Sequence, residues 1–464
     1  MIYLSKSIHL NPETVMSPHP HIASAIRNEL SDWRVWVGRA VVLGFAALAG
    51  LTVVAFTWLC ELALEYFFVG QIRLARDYPW LPWIWTPLIA ALITWITRRW
   101  VLGAAGSGIP QVMAALTPGV EEAQRPLFVS LRLSLAKMLL TALGLLGGLS
   151  LGREGPSVQI AAGVMHHARR WLPERSQIST HGLLMAGGAA GIAAAFNTPL
   201  GGVMFAIEEL TRRPEQRSNG LLLAAIVLAG LMAVSVYGNA TYFGVIQVED
   251  FSWTLLWPAA VVTLFSGIAG GLFSRLLVVS LSGQNGDWFS RLRQRSPVWF
   301  AALCGLGVAA LGWASLGETY GSGYAHTRNM LDNSADASPW YTLLKFIATW
   351  LTAWSGVPGG IFAPSLAIGG ALGNDVAQLT GYAHHATLIA LGMAGFLAAA
   401  TQAPITAFII VMEMVSGHAL VLSLMACALV ANGISRLISA PLYTALAQLQ
   451  LRRLPTPPAA SESH

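Results

Sequence analysis

Charge disappears from this chain in long blocks. Val41 to Cys60, Ser218 to Val248, Trp253 to Ser274, Val298 to Leu316 and Ala419 to Ser435 contain no Asp, Glu, Lys or Arg. A bilayer core of about 30 Å needs about 20 helical residues, so these runs are predicted to be membrane-crossing helices or nearly so. Trp80, Trp83, Trp85, Trp253, Trp257 and Trp340 stand near segment ends, where the two-sided character of an indole suits the membrane–water boundary. Between the long runs lie shorter apolar stretches broken by glycine and proline, which are expected to be partial helices. Residues 1–34 are polar and interrupted by prolines, without the apolar core of a signal peptide. They are predicted to be a short lead-in. Residues 452–464 form a short tail, rich in Pro, Ala and Ser, in which no further domain is expected.

Composition sharpens this picture. Of 464 residues, 55% are hydrophobic and only 11% charged, against about 25% charged in an ordinary soluble domain. Too little charge is present to solvate a water-facing surface, so lipid must be the solvent for much of the chain. The net charge of +5 is spread over residues that flank apolar runs, such as Arg98 and Arg99, Arg169 and Arg170, Arg212, Arg213 and Arg217, and Arg291, Arg293 and Arg295. That is loop charge beside a membrane, and nucleic acid is not expected as a partner. Cys60, Cys304 and Cys427 sit in apolar runs and read as small buried hydrophobes. The histidine pairs His166-His167 and His384-His385 are adjacent, unsuited to sharing a metal, and read as segment-end residues. Neither a metal nor any other cofactor is expected.

Glycine (46) and proline (23) reveal a repeat. Gly106-Ser107-Gly108-Ile109 returns as Gly321-Ser322-Gly323-Tyr324. Gly152-Arg153-Glu154-Gly155-Pro156-Ser157 returns as Gly360-Ile361-Phe362-Ala363-Pro364-Ser365. Ala193 to Pro199 returns as Ala398 to Pro404, and a glutamate follows each proline by nine residues, Glu208 and Glu413. Each match is weak alone. Their common order, at offsets of 215, 208 and 205 residues, predicts two repeats, 35–240 and 241–451. Broken apolar segments in matching places of two halves point to a transport site.

The breaks have a shared physics. Proline in a first helical turn loses nothing, because its missing N–H would be unpaired there. Glycine permits the tight backbone. A helix is therefore predicted to begin near Glu154, another after Gly359-Gly360, and a third after Gly106-Ser107-Gly108, with a hydroxyl donor added. Each start offers free N–H groups and the positive end of a dipole, which attract anions. Three starts meeting at mid-membrane would hold an anion by partial charges and still release it.

Glu154 lies between hydrophobic stretches, where an ionisable residue is a functional candidate by default. The plainer reading, a surface carboxylate paired with Arg153, fits the surrounding motif poorly. Glu208 and Glu209 end an apolar segment and point about 100° apart on a helix. From the residues alone they read as water-facing carboxylates paired with Arg212 or Arg213. Lys137 stands in an apolar run and needs a partner that the sequence does not name.

Gly-Ser-Gly-Ile-Pro at 106–110, Gly-Arg-Glu-Gly-Pro at 152–156, Gly-Gly-Ile-Phe-Ala-Pro at 359–364 and Pro441-Leu442-Tyr443 resemble, in order, the signature segments of the CLC chloride channels and transporters. The resemblance extends over about residues 35–450. It implies an all-α integral membrane protein of two inverted repeats with tilted, partial and broken helices, multi-pass in the cell (inner) membrane, and a homodimer with one pathway per subunit. It implies chloride and protons as the transported ions. Ser107 and Tyr443 would be hydroxyl donors to a central anion, with the backbone at Gly106, Gly108, Ile361 and Phe362 completing the site. Glu154 would be an external gate whose carboxylate occupies an anion position, and Glu209 an internal proton-transfer residue. Gln111 and Met113 depart from the family's exchangers, which often carry acids there. Ser107 and Pro156 separate the chain from the fluoride branch, and serine in place of proline at 107 separates it from nitrate-preferring relatives.

Chloride/proton antiport is thus the leading expectation, and a passive chloride channel on the same scaffold the alternative. An intramembrane enzyme using Ser107 and Glu154 lacks a histidine partner or metal ligands, so no enzymatic activity is expected.

Overall fold

The computed structural model describes residues 32–454, apart from 75–77, 175, 177, 211–218, 239–240, 245–252, 284–285, 333–337 and 453. Most of the 1–34 lead-in, nearly all of the 452–464 tail, and Arg212, Arg213 and Arg217 lie outside the described residues.

Helix dominates. The first half comprises α1 (Trp33–Leu74), α2 (Leu81–Trp100), α3 (Ile109–Leu116), α4 (Leu131–Leu146), α5 (Glu154–His167), α6 (Thr180–Phe196), α7 (Pro199–Phe205, continued by a π turn, Ala206–Leu210) and α8 (Asn219–Tyr237). The second comprises α9 (Leu256–Ser282), a surface helix α10 (Trp288–Arg295), α11 (Pro297–Ala314), α12 (Tyr324–Leu331), α13 (Tyr341–Ser355), α14 (Phe362–Thr380), α15 (His385–Thr401), α16 (Pro404–Met414) and α17 (Val421–Ile438). A last helix, α18 (Leu442–Leu451), ends the second half. Among the described residues no β-strand forms; the one extended pairing is an antiparallel bridge between Gly152 and Gly360.

The described parts of the five charge-free runs lie mainly in α1, α8, α9, α11 and α17, and these, with α4 and its preceding turn, are the six helices among the described residues long and apolar enough to cross a membrane. Large apolar side chains such as Leu231, Leu272, Leu303 and Leu437 stand exposed on them, as a lipid-facing surface requires. The chain is a multi-pass membrane protein. Trp253, Trp257 and Trp340 are also largely exposed.

Apart from α10 and α18, the helices of the two halves correspond in order. The short α3 and α12 both have eight residues and start 215 residues apart. α6 and α15 both have 17 residues, and each stops on a non-glycine residue in left-handed conformation, Asn197 (φ 57°) and Gln402 (φ 60°). A left-handed residue closes a helix, and an amide side chain tolerates that conformation better than most. Within each repeat two helices pack almost backbone to backbone, α5 on α6 and α14 on α15. A methyl built on Gly191 would stand 2.5 Å from Ser157 O, and one on Gly392 2.1 Å from Gly369 O. Small residues thus let paired helices approach closely where apolar burial alone gives no drive within lipid. The result is a buried centre of short helices, with α5 and α14 almost wholly enclosed, inside a jacket of long ones.

Candidate anion and proton site

The predicted helix starts meet. Helix α5 begins at Glu154, α14 at Phe362 and α3 at Ile109. Their preceding turns are tied together: Gly152 N donates to Gly360 O and Gly360 N to Gly152 O, both at 2.7 Å, and Gly359 N donates to Gly106 O at 3.1 Å. Gly106 and Gly108 take φ of 71° and 114°, values open to glycine at little cost. The three breaks, distant in sequence, form one hydrogen-bonded junction between the repeats.

Glu154 is fully buried in that junction. Its Oε2 accepts a hydrogen bond from Ala363 N, in the first turn of α14, at 3.3 Å. Its Oε1 has no partner among the described residues. The pairing with Arg153 is absent: Arg153 Nη1 donates to Glu61 Oε1 at 2.8 Å. The carboxylate of one repeat therefore rests on the positive helix end of the other, the position an anion would favour.

Ser107 Oγ and Tyr443 OH are likewise buried, and neither makes a hydrogen bond of standard geometry among the described residues. Ser107 Oγ lies 2.3 Å from a methyl built on Gly155, so it abuts the start of α5. Helix α18 packs on α3 and brings Tyr443 to the junction. The Tyr443 ring stacks on Phe362 with centroids 6.1 Å apart, and its hydroxyl faces that of Ser107. Three buried polar groups at one junction, Ser107, Tyr443 and Glu154, thus keep unused hydrogen-bonding capacity. Native interiors rarely leave such groups unpaired without a ligand or a functional reason.

Glu208 and Glu209 correct the reading made from residues alone. Glu208 does not simply face water. Its carboxylate accepts from Ile405 N at 3.1 Å and Thr406 N at 2.7 Å, capping the start of α16. Glu413 does the same for α7, accepting from Leu200 N at 3.2 Å and Gly201 N at 2.7 Å. Glu209 is buried at 7% exposure and lines an open cavity of about 770 Å³ together with Met113, Thr117, Thr444 and Gln448. Successive helical side chains point in different directions, so one glutamate caps a helix and the next meets the cavity.

The partner of Lys137 is backbone. Its Nζ donates to Ala104 O at 2.7 Å and Gly106 O at 2.6 Å. Lys345, 208 residues later, donates to Thr319 O at 2.9 Å and Gly321 O at 2.7 Å. Each break leaves carbonyls that no helix satisfies, and each is closed by a buried ammonium. Gln111 folds back on its own loop, accepting from Gly108 N and donating to Ala105 O. The sequence reading missed Lys345, the Glu413 cap and Glu61; the repeat offsets carry the signal for the first two. His167 ends α5 and His385 begins α15, as segment-end residues should.

Comparison with known proteins agrees with this geometry. The family model described as voltage gated chloride channel matches residues 89–436. The chain is 31% identical over 419 residues to a protein of Cronobacter sakazakii named H(+)/Cl(-) exchange transporter ClcA, covering 86% of each chain. It is 30% identical over 438 residues to a Klebsiella pneumoniae protein of the same name, covering 89% of this chain and 88% of the relative. Among solved structures, a slow cyanobacterial Cl-/H+ antiporter superposes with a TM-score of 0.76 at 26% identity, over 89% of this chain and 98% of that one. A CLC-type fluoride/proton antiporter gives 0.68 at 25% identity, over 88% and 97%. The broken helices, their meeting point and the span of these similarities lead to one assignment: the chain belongs to the voltage-gated chloride channel (CLC) family.

Proposed function

We propose that this protein exchanges chloride for protons across the membrane, with Glu154 as the external gate and Glu209 as the internal proton-transfer residue. The observation that carries the reading is the carboxylate of Glu154 seated on the Ala363 N–H of α14. A seat made of helix starts accepts either a carboxylate or a halide, not both. When the carboxylate takes up a proton it loses its electrostatic hold, and chloride replaces it. Chloride bound there would be met by the amides of Ile361 and Phe362, the turn Gly106-Ser107-Gly108 and the hydroxyl of Tyr443. Protons would pass between Glu154 and Glu209, which stands apart at the cavity wall. Occupancy of one seat by either ion's representative couples the two fluxes.

The relatives named for H(+)/Cl(-) exchange support this reading. Ser107 and Pro156 favour chloride over fluoride. The two repeats, 35–240 and 241–451, act as one transport unit, and the unit works as a homodimer with a pathway in each subunit, as the family does. In liposomes loaded with chloride, its outward gradient drives protons uphill, read with a pH electrode. Glu209→Gln is expected to stop the protons while chloride still moves. A reversal potential that follows chloride alone in opposed pH gradients identifies a channel and refutes antiport.

A further inference from the structure

Arg153 is held in a clamp that the gate does not by itself require. On one side its Nη1 donates to Glu61 of α1 at 2.8 Å. On the other its Nη2 donates to the hydroxyl of Tyr242 at 3.3 Å, and its guanidinium carbon lies 5.7 Å from the centre of the Tyr242 ring. Tyr242 lies in the segment between α8 and α9, at the boundary of the two repeats. That segment is itself anchored in the second repeat: Tyr324 OH donates to Tyr242 O at 2.8 Å, and Phe243 N donates to Met414 O at 3.0 Å. The Tyr242 ring meets Tyr324 edge-on at 4.7 Å and Phe196 at 5.7 Å. Phe196 in turn lies 6.3 Å from Phe362, at the start of α14.

The position of Arg153 gives this clamp a consequence. Arg153 is the residue before Glu154 and the N-cap of α5, and its carbonyl accepts from both the N–H and the hydroxyl of Ser157 at 2.9 Å. Its side chain is 13% exposed, so the ion pair with the half-exposed Glu61 is partly sheltered from water. A charged hydrogen bond in such a place is stronger than a surface pair. Holding the guanidinium from both sides fixes the backbone from which the Glu154 side chain swings.

We propose that Glu61 and Tyr242 are positioning residues of the gate. By clamping Arg153 they fix the start of the helix that carries Glu154 and restrain its carboxylate from leaving the anion seat. This rests on the gating role given to Glu154 above. It also makes the joint between the repeats part of the gate, since Tyr242 reaches Arg153 from a segment tied to α12 and α16.

The test uses Glu61→Gln and Tyr242→Phe, which keep side-chain shape, in the full-length protein with and without Glu154→Ala. Chloride efflux from liposomes and the chloride/proton ratio are measured for each. With Glu154 present, each variant speeds efflux by about threefold to tenfold, the effect of one weakened charge-assisted hydrogen bond, with fewer protons moved per chloride. In the Glu154→Ala background neither variant changes efflux. Unchanged efflux with Glu154 present overturns the clamp, and so does an equal change in both backgrounds, which marks a merely structural role. The underlying gate reading fails separately: Glu154→Ala alone would then keep wild-type efflux and its pH profile.

Discussion

The seat of Glu154 can be disturbed without touching the carboxylate. A methyl built on Gly152 would lie 2.4 Å from Glu154 Oε2, and 3.1 Å and 3.2 Å from Pro364 Cδ and Ala363 Cβ. Ordinary contact begins near 3.5 Å, so Gly152→Ala must push the carboxylate by about 1 Å. The two carbon neighbours need only tenths of an ångström, whereas the carboxylate is the free end of a flexible chain and yields first. It is held to Ala363 N at 3.3 Å, already long for a hydrogen bond, and a 1 Å shift removes that bond. A hydrogen bond to a charged group contributes about 1.5–3 kcal/mol. At the low end, which suits the long distance, the closed state loses about tenfold in occupancy. Gly152→Ala should therefore resemble a partial Glu154→Ala: faster chloride efflux, a flatter dependence on external pH and fewer protons per chloride. Liposome efflux across a range of external pH, with proton flux read in parallel, measures all three. A monodisperse Gly152→Ala protein with the wild-type pH profile and coupling ratio refutes the placement of the carboxylate in that seat.

Two further predictions use the repeat-related pairs. Glu208→Ala and Glu413→Ala each remove a carboxylate that accepts two N–H groups at a helix start; each should cost about 1–2 kcal/mol, the usual range for a lost N-cap, read as comparable falls in melting temperature in detergent. A fall in only one of the two contradicts the shared capping role. Lys137→Met takes the ammonium from Ala104 O and leaves Gly106 O with Gly359 N alone, Lys345→Met takes it from Thr319 O and Gly321 O, and each should destabilise the protein by about 1–3 kcal/mol. Only Lys137→Met should also weaken chloride binding in calorimetry, because the Gly106 carbonyl it holds precedes Ser107, whereas Ser322 Oγ already accepts from Tyr324 N. Equal chloride affinity in both variants would count against Ser107 as an anion ligand.

Much of the architecture was legible because it rests on residues with little freedom of meaning. Charge-free runs marked the long helices, and proline after glycine marked the starts at 109, 154 and 362. What stayed hidden were the partners of charged groups. Lys137 is satisfied by the carbonyls of Ala104 and Gly106, and Glu208 by the amides of Ile405 and Thr406. Every residue carries such groups, so no side-chain pattern announces them. Arg153 chose Glu61, 92 residues earlier, over the adjacent Glu154, and only packing decides between them. From the residues alone Glu208 looks toward Arg212 and Arg213, which lie outside the described residues, whereas the fold offers its carboxylate the start of another helix.

The duplication itself sorts structural residues from functional ones. Parts that build the scaffold occur twice: Lys137 and Lys345 close the breaks, Glu208 and Glu413 cap the opposite half, Asn197 and Gln402 end the sixth helix of one repeat and its counterpart. The two glutamates given roles in proton transfer occur once. The counterpart of Glu154, 208 residues on, is Phe362, and the counterpart of Glu209, 205 residues on, is Met414. This asymmetry has a physical basis. Two acids at facing helix starts would repel each other when charged and compete for the same amides. With Phe362 in the second position, the start of α14 keeps its N–H groups for a ligand while its ring packs on Tyr443 and Phe196. One acid and one bare helix start make a single seat with two possible occupants, and a single contested seat is what exchange requires.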